Sequence, residues 1–361
     1  MPQVLILCAL RPKRSPSQRY RFEQYLPFLE SQGFNFTWSY LLNEQDDLLF
    51  YSAGNSITKS KIIFNSILQR KKDVNNFHRY DIIFIQREAN FLGNSKFEKK
   101  AFESGAKVIF DFDDSIWLTD TSPGNKKWAW LKKPEKFFDN IKYAHLVIAG
   151  NKYLAEKAKS HNPNTRIIPT TVDCHIHKPM PELRYKEKIC IGWSGSISTI
   201  KHFETLIPIL KKLKQEFNDQ IYFKIIAQTK YSHPELEIES VIWKEENEVQ
   251  ELNAIDIGLM PLPDNDWAKG KCGLKGLTYM ACGVATIMSN VGVNSEIIQN
   301  NVNGILIGDE KDWYKQLSAL IQNKSLRQKL GEAGRQTVLE KYSVQANQEK
   351  YLSAFKSLIH G

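Results

Sequence analysis

Cysteine is scarce in this sequence and follows no pattern. Cys8, Cys174, Cys190, Cys272 and Cys282 stand alone among 361 residues, odd in number and without a Cys-x-x-Cys pair. That leaves no basis for a disulfide framework or a cysteine zinc site and fits a reducing cytoplasm. Long hydrophobic runs are missing too: nothing approaches the roughly 20 apolar residues that a membrane span needs. Met1-Pro-Gln leads straight into a strand-length apolar run, residues 4–10, with no small-residue cleavage site after it, so no signal peptide is expected. Three motifs are also lacking. No Gly-x-Gly-x-x-Gly follows the first strand of either half, since Leu10 runs into Arg11-Pro-Lys-Arg and Ile191 into Gly192-Trp-Ser-Gly-Ser, which argues against a dinucleotide-dependent dehydrogenase. No Gly-x-Ser-x-Gly elbow offers a hydrolase nucleophile. No nucleic-acid reading module accompanies the net charge of +9, so that charge points to other acidic partners or to solvated lysine faces.

What is present is a regular alternation. Short apolar, β-branched runs at 4–10, 34–42, 81–87, 107–114, 146–150 and 166–172, then at 188–195, 222–228, 241–244, 256–262, 285–289 and 304–307, are separated by helix-length polar segments. Continuous runs of this kind are strands buried on both faces of a parallel sheet, with the segments between them as crossover helices. The chain is too long for one core, since single cores stop growing near about 250–300 residues. The expected fold is α/β, with two doubly wound, Rossmann-like parallel-sheet domains facing across a cleft. The break falls near 171–188, rich in proline and polar residues. The expected division is 1–172, 173–342, and a helix at 343–361 capped by Ser343 that packs back toward the first domain. His175 and His177 read as linker residues.

The stretch 269–298 carries the strongest chemical signal. A basic loop with Lys269, Lys271 and Lys275 feeds a short helix at Gly273, followed by a buried strand at 285–289. A helix start offers backbone N–H groups and a positive dipole end, and the lysines add charge there, so a phosphate or diphosphate is the matching ligand. A second anion-favouring turn follows Ile191, where Gly195 allows close backbone approach, Ser196 and Ser198 donate hydrogen bonds, and Lys201 supplies the counter-charge. Taken alone, that turn has a second reading, a capped helix with a solvated lysine.

In the first half, Lys107-Val-Ile-Phe-Asp-Phe-Asp-Asp114 gathers Asp111, Asp113 and Asp114 at a strand end. Three readings stay open there: a divalent metal, acceptor binding or acid/base work, and a structural hydrogen-bonded cluster. Arg11, Lys13, Arg14, Arg19 and Arg21 after the first strand would draw a phosphate-bearing acceptor or an anionic membrane surface, unless they form a plain basic loop tip. Lys126-Lys-Trp-Ala-Trp-Leu-Lys-Lys133, with Trp128, Trp130 and Leu131 among lysines, suits a membrane surface or a helix with core-facing indoles.

The second half resembles the retaining GT-B glycosyltransferases of family 4. Gly195-Ser-Ile-Ser-Thr-Ile-Lys201 matches the family's Gly-Arg-x-x-x-x-Lys motif in its Gly and Lys. Asp256-Ile-Gly-Leu-Met-Pro-Leu, Gly283-Val-Ala-Thr-Ile-Met-Ser, Val291-Gly-Val-Asn-Ser-Glu-Ile-Ile, Leu330-Gly-Glu-Ala-Gly-Arg and Tyr342-Ser match later signatures. The resemblance implies a metal-independent enzyme without cofactor, moving sugar from a nucleotide diphosphate sugar to a glycan or lipid-linked acceptor in surface polysaccharide or glycolipid synthesis, in the cytoplasm or at the inner membrane face. It implies that Lys201, with Gly195, Ser196, Lys271, Lys275 and the backbone at Gly273 and Leu274, holds the diphosphate. Trp243 would lie at the base and Thr278 at the ribose, with Asp113 and Asp114 lining the cleft and Arg14, Arg19 and Arg21 on the acceptor side. The family's two glutamates, eight positions apart, correspond to Gly270 and Thr278, and its motif arginine to Ser196. A catalytically silent member that binds a nucleotide, glycan or partner is the alternative these departures raise.

Overall fold

The computed structural model describes residues 1–359 apart from 53, 119–132, 134, 185–186 and 197–198. Ser198 and the Trp128, Trp130 and Leu131 of the tryptophan–lysine segment lie outside the described residues. The chain divides into two compact units, Met1–Thr170 with Asn347–Gly361, and Thr171–Ala346.

The first unit holds a parallel six-stranded sheet: β1 (Gln3–Leu10), β2 (Asn35–Leu42), β3 (Ile82–Gln86), β4 (Lys107–Phe112), β5 (Leu146–Ala149) and β6 (Thr165–Ile167). Its order is β2-β1-β3-β4-β5-β6. The second unit repeats the plan with β7 (Ile189–Ser194), β8 (Ile221–Ala227), β9 (Ile238–Ile242), β10 (Ile257–Met260), β11 (Ala285–Ser289) and β12 (Ile305–Ile307), in the order β12-β11-β10-β7-β8-β9, again parallel. Each apolar run read from the sequence is a strand. The reason is visible in burial: β3, β5, β10 and β11 are buried at every residue, as central parallel strands covered by helices must be, whereas the edge strands β2, β6 and β9 carry exposed positions.

Strand ends differ from expectation. β4 stops at Phe112, two residues before Asp114, and β6 stops at Ile167 instead of running to Val172. Ile168 still donates its N–H to Ala149 O (3.1 Å), but Pro169 has no N–H to continue the ladder. Val172 instead bridges to Ser343 within the second unit.

Helix Val344–Ile359 begins where Ser343 Oγ accepts from the Ala346 N–H at 3.1 Å. From Asn347 onward the helix is counted with the first unit. There Tyr351 packs on Tyr25 (ring centroids 4.3 Å apart) and Phe355 lies between Phe34 and Phe84. The second unit's core gathers Ile191, Trp193, Phe203, Leu210, Ile257 and Ile287 around its own sheet.

Candidate functional site

In the second sheet the chain leaves β7 toward β8 and β9 on one side, then returns to lay β10, β11 and β12 on the other. The loops after β7 and β10 therefore part in opposite directions and leave a crevice at the strands' carboxyl ends, where open α/β sheets bind ligands. The lysines of both sequence signals arrive there.

After β7 the Gly195 N–H bonds to Ile226 O at 3.0 Å. A Cβ on Gly195 would sit 2.5 Å from the Trp193 ring and 2.6 Å from Lys275 Cε. The missing side chain is what lets Lys275 cross the loop. Its ammonium lies 5.3 Å from the Trp193 ring centroid and 3.5 Å from Thr199 Oγ1. Ser196 serves the turn: its carbonyl accepts from the Thr199 N–H at 2.9 Å. Lys201 is exposed in helix Ile200–Glu204.

After β10, Asn265 caps the short helix Asp266–Lys269 by accepting from the Ala268 N–H. That turn presents Trp267. Lys271 Nζ lies 3.8 Å and Lys201 Nζ 5.8 Å from the Trp267 ring centroid, and the His202 ring lies against it at 5.1 Å. One indole thus gathers two lysines that are 70 positions apart in sequence. Sequence reading missed Trp267, because its role depends on two loops meeting; the only local signal was an indole beside a capping Asn in a lysine-rich stretch.

Helix Leu274–Ala281 completes the crevice. Gly273 is its N-cap, left-handed at φ 71°, and has no side chain with which to cap the helix. A helix start of this kind carries backbone N–H groups without partners inside the helix. Tyr279, also missed, ties this helix to β7 by accepting from the Ser194 N–H at 2.6 Å. Its ring lies so close over Gly258 that a Cβ there would be 2.6 Å away, and Gly258 in a buried strand was the available clue. Burial pushes the Tyr279 phenol well above its ordinary value of 10.

Thr278, Trp243 and Gly270 all lie in the second unit. Thr278 is buried, and its hydroxyl donates to Lys275 O at 2.8 Å, back onto its own helix. A helical Thr can reach the carbonyl three or four residues back in this way. Trp243 follows β9, its N–H bonded to Ala227 O at 2.8 Å, and its half-buried ring packs on a cluster with Cys190, Ile226 and Tyr279. Gly270 is buried as the C-cap of helix Asp266–Lys269.

The first unit has its own switch point, between β1 and β3. Asp113 accepts from Arg87 Nε (2.9 Å) and Nη2 (2.7 Å) and from Ser17 Oγ (2.5 Å), while Gln86 donates to Ser17. Burial raises the Asp113 carboxyl, but Arg87, Arg21 and these hydrogen bonds outweigh it, so it is held below the ordinary carboxylate value of 3.8. Asp114 is farther from Arg87, at 3.8 Å, and its Oδ1 accepts from the Ser115 N–H. Arg87 itself adopts φ 63°, with its N–H on Asp111 O. Among the described residues no three His, Cys, Asp or Glu side chains gather for a metal ion.

Arg21 is a correction. It is fully buried, paired with the equally buried Asp111 (2.6 Å) and donating to Ile168 O, so it cannot meet an acceptor. A charge taken out of water needs such a partner, and Asp111 supplies it. Arg14 shares the Asp47 carboxylate with Arg11, and Arg19 lies half-buried, 5.2 Å from the Tyr20 ring centroid.

Residues 188–323 match the family model described as Glycosyl transferases group 1. No curated protein matches the sequence. Among solved structures, sucrose-phosphate synthase from Thermosynechococcus elongatus is 13% identical, covers 100% of both chains and superposes with a TM-score of 0.69. A glycosyltransferase from Rickettsia africae is 14% identical over 99% of this chain and 98% of its own, at 0.68. HepE from Anabaena, in complex with UDP and glucose, is 14% identical over 99% of this chain and 100% of its own, at 0.66. At such identities the likeness is one of fold, and the two doubly wound units are those of the GT-B architecture.

Proposed function

We propose, from the premise that residues 188–323 form a group 1 glycosyl transferase domain, that the protein moves a sugar from a nucleotide diphosphate sugar to a hydroxyl acceptor. The observation that carries this reading is the convergence of Lys201, Lys271 and Lys275 with the Gly273 helix end at the β7/β10 switch point. HepE, a protein of the same fold, has been solved with UDP-glucose.

Lys201, with Gly195 and Ser196 beside it, holds the diphosphate. Lys271, Lys275 and the backbone of Gly273 and Leu274 stabilise the charge that develops as the sugar departs, an oxyanion-type use of fixed dipoles and cations. These groups supply the charge that a metal would otherwise bring, so the reading is metal-free and needs no cofactor. Retention of anomeric configuration goes with the family. The base lies near Trp243 and the ribose near Thr278.

A glycan or lipid-linked acceptor meets the first unit near Asp114, Arg14 and Arg19, and the product belongs to surface polysaccharide or glycolipid synthesis. Asp113 acts there as a positioning residue, since Arg87 and Ser17 occupy its carboxylate.

One observation favours a second reading. With Gly270 and Thr278 in place of acids, and the Thr278 hydroxyl turned onto Lys275 O, a silent nucleotide-binding protein is the alternative. Calorimetric titration with a panel of nucleotide sugars, followed by turnover with membrane lipid extract, separates the two: tight binding without transfer or hydrolysis supports the silent protein. Lys201→Ala should weaken donor binding about ten- to a hundredfold, the worth of a charged hydrogen bond. Unchanged affinity in that variant means the diphosphate lies elsewhere.

A further inference from the structure

Helix Ser56–Val74 in the first unit has an exposed apolar face. Ile57 is 90% exposed, Phe64 60% and Leu68 40%. Positions 57, 64 and 68 share one side of an α-helix, so they form a single apolar stripe. Scattered exposed apolar residues are ordinary in soluble proteins. Here they fall on one stripe.

The same side of helix Ser56–Val74 exposes Lys61, Lys71 and Lys72. The one acid in the helix, Asp73, is turned inward and pairs with Arg70 at 2.8 Å. The exposed face of this helix therefore carries positive charge and apolar groups, and no carboxylate. Its orientation is fixed from within. Buried Arg70 donates to Ala89 O, Ser39 Oγ and Cys8 O, and Ile62 and Ser66 are buried beside it.

We propose that this face docks the protein on an anionic lipid bilayer. Ile57, Phe64 and Leu68 would enter the headgroup boundary, while the lysine stems run along the helix and place their ammonium groups among lipid phosphates. Charge selects this occupant over a second copy of the chain. A two-fold self-contact would set this lysine face against its own equivalent, which repels. The surface differs from the basic loop at 11–21 that the sequence suggested, because Arg11 and Arg14 already share Asp47 and Arg21 is buried. It does not depend on the transferase reading, which is tested separately by nucleotide binding.

The full chain should be sedimented with phosphatidylcholine vesicles that contain or lack phosphatidylglycerol. Binding is expected only when the anionic lipid is present. Lys61→Glu/Lys71→Glu/Lys72→Glu should weaken it at least about a hundredfold, since each basic residue at such a surface contributes about fivefold. Ile57→Ser/Phe64→Ser/Leu68→Ser should weaken it at least about tenfold. Both variants should keep the wild-type circular dichroism and UDP affinity, which shows that loss of vesicle binding is not loss of fold. The proposal is overturned if the wild type ignores anionic vesicles, or if either variant binds them as well as the wild type. A wild-type dimer that the apolar variant turns into a monomer would overturn it too, by assigning the face to a second copy.

Discussion

Trp267 shows how a single side chain can organise charge. Two ammonium groups that would repel each other in water are both drawn to the negative face of one indole, an attraction of about 0.5–2 kcal/mol for each cation. Trp267→Ala should therefore weaken UDP binding about two- to thirtyfold, and raise the donor KM more than it lowers kcat. Trp267→Phe, which keeps a π-face, should lose less. Equal UDP affinity in all three proteins would show that the indole is only packing. The lysines were legible in the sequence as charges, and the family resemblance grouped them, but the aromatic that joins Lys201 and Lys271 was not legible, since it acts only once two loops meet. Arg21 teaches the reverse lesson. In a run of polar residues it reads as a surface cation, and its burial becomes visible only when Asp111, 90 positions away, closes over it.

At the scale of elements, the start of helix Leu274–Ala281 depends on a residue without a side chain. Gly273 is left-handed, and a Cβ there would come 2.3 Å from Ile297 Cδ1. Gly273→Ala should cost about 1–3 kcal/mol through backbone strain and overpacking, seen as a lower Tm in thermal denaturation and a weaker UDP site. Gly308→Ala serves as the control, since nothing lies within 4 Å of its would-be Cβ and its backbone is not left-handed; similar losses in both would remove the argument from geometry. The strands were the most legible elements because burial on both faces writes an unbroken apolar run. Their ends were less so. Asp113 and Asp114 lie beyond β4 because the last paired residue is Phe112, and β6 is cut short by Pro169, whose missing N–H outweighs the apolar residues around it.

For the whole molecule, the two units were legible from length and from the repeated alternation of strand and helix. Where the chain passes between them was less so, because the passage follows packing more than composition. The first unit ends at Thr170 and resumes at Asn347. Tyr351 and Phe355 belong to its core, both almost wholly buried, and loss of a buried aromatic side chain costs about 3–5 kcal/mol. A chain ending at Ala346 should therefore lose the thermal transition of the first unit while the second still binds UDP. Two intact transitions in that chain would refute this dependence. The same return of the chain bears on synthesis. Residues 1–170 leave the ribosome first, yet the aromatic side chains that complete their core are not made until all of residues 171–346 have been translated. The unit that is begun first is thus the last that can be finished, and until then its open edge at Tyr25, Phe34 and Phe84 stands exposed to chaperones and to neighbouring chains.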